Sequence, residues 1–107
     1  MPDRIRTQAE LDAALTSERF LLFKHSTRCP ISAAAFAQYR AWASAHPAQP
    51  TGWIDVIEER ALSQEVERRT GVKHESPQAI AVRAGKVAWD ASHGEITKGR
   101  LEEVVGE

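Results

Sequence analysis

A chain of 107 residues, 42% hydrophobic and 27% charged, is long enough to bury one modest core and has the ordinary balance of a globular protein. Its 14 basic and 15 acidic residues leave a net charge of −1, which excludes the basic footprint of a nucleic-acid binder and the cationic face of an anionic-lipid binder. A single cysteine excludes an internal disulfide framework and a cysteine-rich zinc site, and it agrees with a reducing compartment.

The amino-terminal stretch MPDRIRTQAE is polar and lacks the apolar core of a signal peptide, and no later run is long enough to span a bilayer. The expectation is one domain, residues 1–107, in the cytoplasm. Asp3 to Ile5 is a candidate short first strand. Thr7 and Glu10 have the spacing of a capping box, and Leu11, Ala14 and Leu15 then recur on one helical face. The compact apolar run Phe20–Phe23 suits a buried central strand. A helix is expected from about Cys29 to Ala45. It is rich in alanine, carries Ile31, Phe36, Tyr39 and Trp42, opens on Pro30 and stops at His46-Pro47.

Trp53–Ile57 reads as a second buried strand. In the helix after it, Leu62 and Val66 share a face, Glu65 is spaced to pair with Arg69, and Gly71 supplies the stop. Ala79–Val82 and Val87–Trp89 are hairpin strands joined through Arg83-Ala84-Gly85-Lys86. Thr97 is placed to cap a last helix bearing Leu101, Val104 and Val105. The order is (β)αβαβαββα. Short strand–helix–strand units imply parallel pairing with right-handed crossovers, and the closing hairpin adds antiparallel strands. The expected fold class is therefore α/β, a central mixed sheet of four to five strands with helices on both faces.

In that order Cys29 follows the carboxyl end of a central strand and begins a helix, where ligand sites of open α/β sheets gather. The unpaired N–H groups and partial positive charge of a helix start favour a thiolate over a thiol. Lys24, His25, Arg28 and Ser32 are candidates for tuning or bonding the sulfur. A packed, inert cysteine is the plainer reading of a lone thiol; the strand–Cys–Pro–helix context argues for a working one.

The element order together with FKHSTRCPIS (23–32), HESPQ (74–78) and GKVAWDASHGEIT (85–97) resembles the thioredoxin fold and, within it, the monothiol bacilliredoxins. The resemblance covers nearly the whole chain. It implies a thiol-disulfide oxidoreductase in which Cys29 is the nucleophile, Ser32 stands where a resolving cysteine would be, and Pro77 is a cis-proline facing the sulfur. The backbone of Ser76 would then pair with the thiol substrate, and Thr27, Arg28 and Pro30 would line its pocket. No bound cofactor or metal is implied. Bacillithiol, a low-molecular-weight thiol, would be the co-substrate, the partners would be S-thiolated client proteins, and the protein would act as a monomer. Phe23 and Arg28 depart from the buried aspartate and the tryptophan that thioredoxins carry at those places, so ordinary dithiol reduction is not expected. The rival readings are a glutaredoxin-like module sharing an iron–sulfur cluster between two chains, and a passive redox sensor.

Other residues have plainer readings. His74 and His93 are expected to shape loops by hydrogen bonding, His46 to lie at the surface, and Trp53 and Trp89 to join the core. Asp55 lies on a buried strand with no assignable facing. The Glu58-Glu59-Arg60 and Glu67-Arg68-Arg69 runs are expected to be solvated helix faces.

Overall fold

A computed structural model describes residues 3–105; Met1, Pro2, Gly106 and Glu107, which the expected domain 1–107 includes, lie outside the described residues. The elements in chain order are β1 (Asp3–Arg4), α1 (Gln8–Leu15), β2 (Arg19–His25), α2 (Pro30–Ala45), β3 (Thr51–Asp55), α3 (Arg60–Thr70), β4 (Gln78–Arg83), β5 (Lys86–Ser92) and α4 (Lys98–Val105), with a 3-10 turn at His93–Glu95. The five strands form one sheet in the order β1-β3-β2-β4-β5. Pairing is parallel from β1 to β3 and from β3 to β2, and antiparallel from β2 to β4 and from β4 to β5. The expected mixed α/β sheet is present, at five strands. Among the described residues no helix is long and apolar enough to cross a membrane.

Strand alternation divides the core into two layers. Leu21 and Phe23 of β2 meet Tyr39 and Trp42 of α2, with Leu101 and Val105 of α4 beside them. Leu22 faces the other way, toward Leu11 and Leu15 of α1 and Leu62 and Val66 of α3. Each layer rests on the periodicity already visible in its helix.

Local chemistry sets the element ends. Thr7 Oγ1 accepts from the Glu10 amide at 3.2 Å and Glu10 Oε1 accepts from the Thr7 amide at 3.1 Å, which completes the capping box. Thr97 Oγ1 accepts from the Arg100 amide at 3.1 Å at the start of α4. Gly71 ends α3 at φ 74, a left-handed position that glycine takes without a Cβ clash.

Several strand boundaries and one ion pair differ from expectation. β2 runs on through Lys24 and His25, because β3 and β4 flank it on both sides and pair its polar end as well as its apolar one. β3 is Thr51–Asp55 rather than Trp53–Ile57. Asp55 Oδ1 accepts from the amides of Ile57 (2.9 Å) and Glu58 (3.2 Å), and this side-chain turn takes the chain out of the sheet despite its apolar residues. β5 extends from Lys86 to Ser92. Glu65 bonds Arg68, and Arg69 crosses to Asp12 of α1, so the expected Glu65–Arg69 pair is not made. Trp53 and Trp89 are half-buried against the α2 layer instead of enclosed in it.

The β4–β5 hairpin turns on Ala84 (φ 52) and Gly85 (φ 73), with Arg83 paired to Lys86. Two positive φ values are the mark of a type I′ turn, which glycine and asparagine accept and alanine resists. Ala84→Asn is therefore expected to stabilise the protein by about 0.5–1 kcal/mol, read as a higher denaturant midpoint at unchanged m-value; a lower midpoint would show that the turn depends on the alanine.

Candidate functional site

Cys29 is the N-cap of α2, with extended backbone (φ −110, ψ 121), and Pro30 takes the first helical position. Its carbonyl accepts from the Ala33 amide at 3.0 Å to start the helix, and its own amide donates to the Ser26 carbonyl at 3.2 Å. The thiol is free and partly exposed. Cys29 thus sits at the mouth of the helix, where the peptide dipoles of α2 converge.

Topology brings the second half of the site beside it. β2 and β4 are antiparallel neighbours, and Lys24 pairs with Gln78 at the end of their ladder. The segment that leaves β2 toward Cys29 and the segment that enters β4 from Pro77 therefore emerge from one edge of the sheet. The Ser76–Pro77 peptide bond is cis. The Pro77 carbonyl accepts from the His93 amide at 3.1 Å, and Glu75 lies 3.6 Å from His93 Nε2. An open groove of about 380 Å³ runs beside α2, lined by Ile31 and Gln38 on one side and by His93, Gly94 and Ile96 on the other. Ile31, two residues past the cysteine, is 59% exposed on this groove.

Ser32 and His25 form a buried lock beneath this edge. Ser32 Oγ accepts from the Ser26 amide at 2.9 Å and stands 2.8 Å from His25 Nδ1. The hydroxyl has one proton and two lone pairs, so it satisfies both the Ser26 amide and the imidazole. His25 stacks on Phe36 with ring centroids 4.1 Å apart and meets Trp53 edge-on at 5.6 Å. Burial lowers the His25 pKa; Asp55 opposes the shift and Arg40 adds to it. The hydroxyl of Ser32 is committed to His25 and Ser26, and His25 is an enclosed aromatic partner. Ser32→Ala leaves the Ser26 amide and the imidazole unpaired, and is expected to cost about 1–2 kcal/mol of stability in a denaturant melt; an unchanged midpoint would show that water replaces the hydroxyl.

Thr27 is held from the other side. Its hydroxyl donates to Asp55 Oδ2 at 3.3 Å, and Asp55 is 3% exposed. Burial by itself would raise the Asp55 carboxyl, but the amides of Ile57 and Glu58 and the Arg4 guanidinium, 3.8 Å away, hold it below the usual carboxylate range. Asp55 thus faces the α2 side and anchors the loop before Cys29. The link joins residues 28 apart, and only the parallel register of β2 and β3 brings them together. Arg28 is exposed beside the cysteine.

Lys24 requires a correction. It points to the sheet face opposite α2, is wholly buried, and has Glu67 and Glu75 as its charge partners, so it is not placed to tune Cys29. His46 also differs from expectation: it is half-buried and bonds Glu102 of α4 at 2.9 Å, tying the end of α2 to the last helix. His74 and His93 shape loops as expected, through Ser63 and Glu67 for the first and through Pro77 and Glu75 for the second. Among the described residues, no group of three or more histidine, cysteine or acidic side chains is arranged to hold a metal ion.

A mixed five-stranded sheet with a cysteine at the mouth of the helix after its central strand is the arrangement of the thioredoxin fold. A solved structure described as having a thioredoxin fold superimposes with a TM-score of 0.88 at 29% identity, covering 96% of this chain and 92% of the other. Mitochondrial thioredoxin 3 of Saccharomyces cerevisiae (TM-score 0.77, 13% identity, 97% and 92% covered) and the thioredoxin of Plasmodium falciparum (0.76, 13%, 98% and 95%) share the fold. The family model Monothiol bacilliredoxin BrxC matches residues 3–101, and the chain belongs to that family.

Proposed function

We propose that this protein removes bacillithiol, or a closely similar low-molecular-weight thiol, from protein mixed disulfides through Cys29 alone. The observation that carries this reading is a single partly exposed thiol at the start of α2 in a chain with no second cysteine, while the residue three positions on, Ser32, is buried and bonded elsewhere. The Cys29 thiolate attacks the bacillithiol sulfur of the client's mixed disulfide. The S–S bond breaks, and the client sulfur leaves as a thiolate and takes up a proton. Cys29 is left in a disulfide with bacillithiol. A second molecule of thiol attacks that disulfide, leaves as an oxidised dimer of the small thiol, and returns Cys29 to its thiolate. The first N–H groups of α2 stabilise the anion at both stages. Ser76 and Pro77 hold the substrate sulfur by backbone contact, with Thr27, Arg28 and Pro30 around it. The groove at Ile31 receives client side chains, and S-thiolated proteins in a reducing compartment are the partners.

The test is turnover of a bacillithiolated protein in excess bacillithiol, with mass spectrometry of the enzyme during the reaction. The expected result is many turnovers per protein and a transient bacillithiol adduct on Cys29. A single turnover that leaves the adduct in place supports the sensor reading instead. Iron with visible absorbance in anaerobically purified protein supports the cluster reading.

A further inference from the structure

On the sheet face away from α2, one charge is buried without a hydrogen bond. Lys24 is wholly inaccessible, and its ammonium has no hydrogen-bond partner among the described residues. Gln78 lies directly opposite across the β2–β4 ladder, is 2% exposed, and has an unpartnered Oε1. The charges that act on the ammonium through space are Glu67 of α3 and Glu75 of the segment Lys73–Pro77, which also carries His74; among the described residues neither carboxylate forms an ion pair with it. That segment is tied to the same place by neutral contacts. Gln78 Nε2 donates to the Lys73 carbonyl at 2.9 Å, the His74 amide donates to Glu67 Oε2 at 3.1 Å, and Ser63 Oγ stands 3.4 Å from His74 Nδ1. Burial costs the ammonium much of its hydration, and its cross-strand neighbour Gln78 ties it to the start of this segment.

We propose that Lys24 is a positioning residue for the segment that faces the thiol substrate: its ammonium, drawn to Glu67 and Glu75, holds Lys73–Pro77 down on the sheet and so sets Ser76 and Pro77 against Cys29. This rests on the reading of Ser76 and Pro77 as the substrate-facing pair. Lys24 touches neither sulfur nor substrate. Its influence passes through two carboxylates and a loop, and it changes binding rather than the reactivity of the thiol.

Lys24→Met keeps the length of the side chain and removes the charge. Amide hydrogen exchange of His74, whose N–H bonds Glu67, read by NMR, is expected to lose protection by about tenfold, the scale of one partly buried charge attraction, with the β2–β4 ladder still protected. KM for a protein mixed disulfide rises by a similar factor while kcat and the pH profile of Cys29 alkylation by iodoacetamide stay as in the wild type. The Lys24 ammonium is pushed down to about 8, mainly by burial. The attraction is therefore present below that pH and lost above it, and the wild-type segment loses protection as pH rises past 8 while the variant does not respond. Unchanged protection at His74 overturns the proposal, and so does a shifted alkylation profile, which would assign Lys24 to the thiol. Glu75→Gln removes the same attraction from the loop side should the lysine variant fail to fold, with His93→Asn as the control for the Glu75–His93 contact. If the wild type never turns over a bacillithiolated protein, the proposed function fails, yet the exchange data still decide whether Lys24 positions the segment.

Discussion

Serine at position 29 is expected to abolish the proposed turnover of protein mixed disulfides, by about three orders of magnitude or more, down to the uncatalysed exchange rate. The reason is chemical rather than steric. A hydroxyl is un-ionised at neutral pH and cannot hold the displaced small thiol as a disulfide, so the covalent intermediate does not exist. The fold is expected to survive the change. Cys29 occupies the N-cap of α2 without a side-chain capping bond, and serine is among the best N-cap residues, so the unfolding midpoint should stay level or rise. Lost activity in a protein of undiminished stability would then isolate the sulfur as the cause. A Cys29→Ser protein that removes the thiol at the wild-type rate would show that the sulfur plays no part in the reaction.

Methionine at position 24 is expected to stabilise the folded protein at pH 7 by something on the order of 2 kcal/mol, once the screening by nearby carboxylates and water is discounted. Lys24 ionises near 8 in the folded chain against 10.5 for an ordinary lysine, chiefly because burial penalises its charge, with Glu67 and Glu75 compensating in part. Between those values the unfolded chain binds more protons than the folded one, so this residue's contribution to stability rises with pH across about 8 to 10.5 and is lost as pH falls back through 8. The gap between variant and wild type should accordingly be widest at neutral pH and narrow toward pH 10.5. Denaturant titrations of both proteins at the two pH values measure it. A variant less stable than wild type at pH 7, or a gap that ignores pH, would show that the ammonium is solvated and not a burden. Greater global stability joined to a looser substrate segment is the pattern expected of a charge retained for function.

The layers of the fold were legible because they are periodic. Leu11, Ala14 and Leu15, the Tyr39 and Trp42 face, the capping box at Thr7 and the stop at Gly71 are local signals, and each sits where its spacing implies. Boundaries governed by side chains were harder to read. β3 ends at Asp55 because its carboxylate collects the next two free amides, although Val56 and Ile57 are apolar enough to continue a strand. β2 swallows Lys24 and His25 because both its edges are paired, which no hydropathy pattern announces. Arg69 found Asp12 in preference to Glu65, since a long guanidinium arm reaches the neighbouring helix as readily as its own next turn.

The lone cysteine, its proline, the serine three residues on and the order of strands and helices are properties of the chain itself. They determine that one thiol begins a helix after a central strand, because propensity, capping and alternation act between residues close in sequence. Which face each polar group meets was decided by the assembled sheet. Strand alternation sends Lys24 and His25 to opposite sides although they are adjacent, so one is buried opposite Gln78 on the face away from α2 and the other stacks on Phe36 and bonds Ser32. Thr27 meets Asp55 only through the β2–β3 register. Burial, and the pairing that burial demands, are set by contacts between residues distant along the chain, and they exist only once the layers have closed.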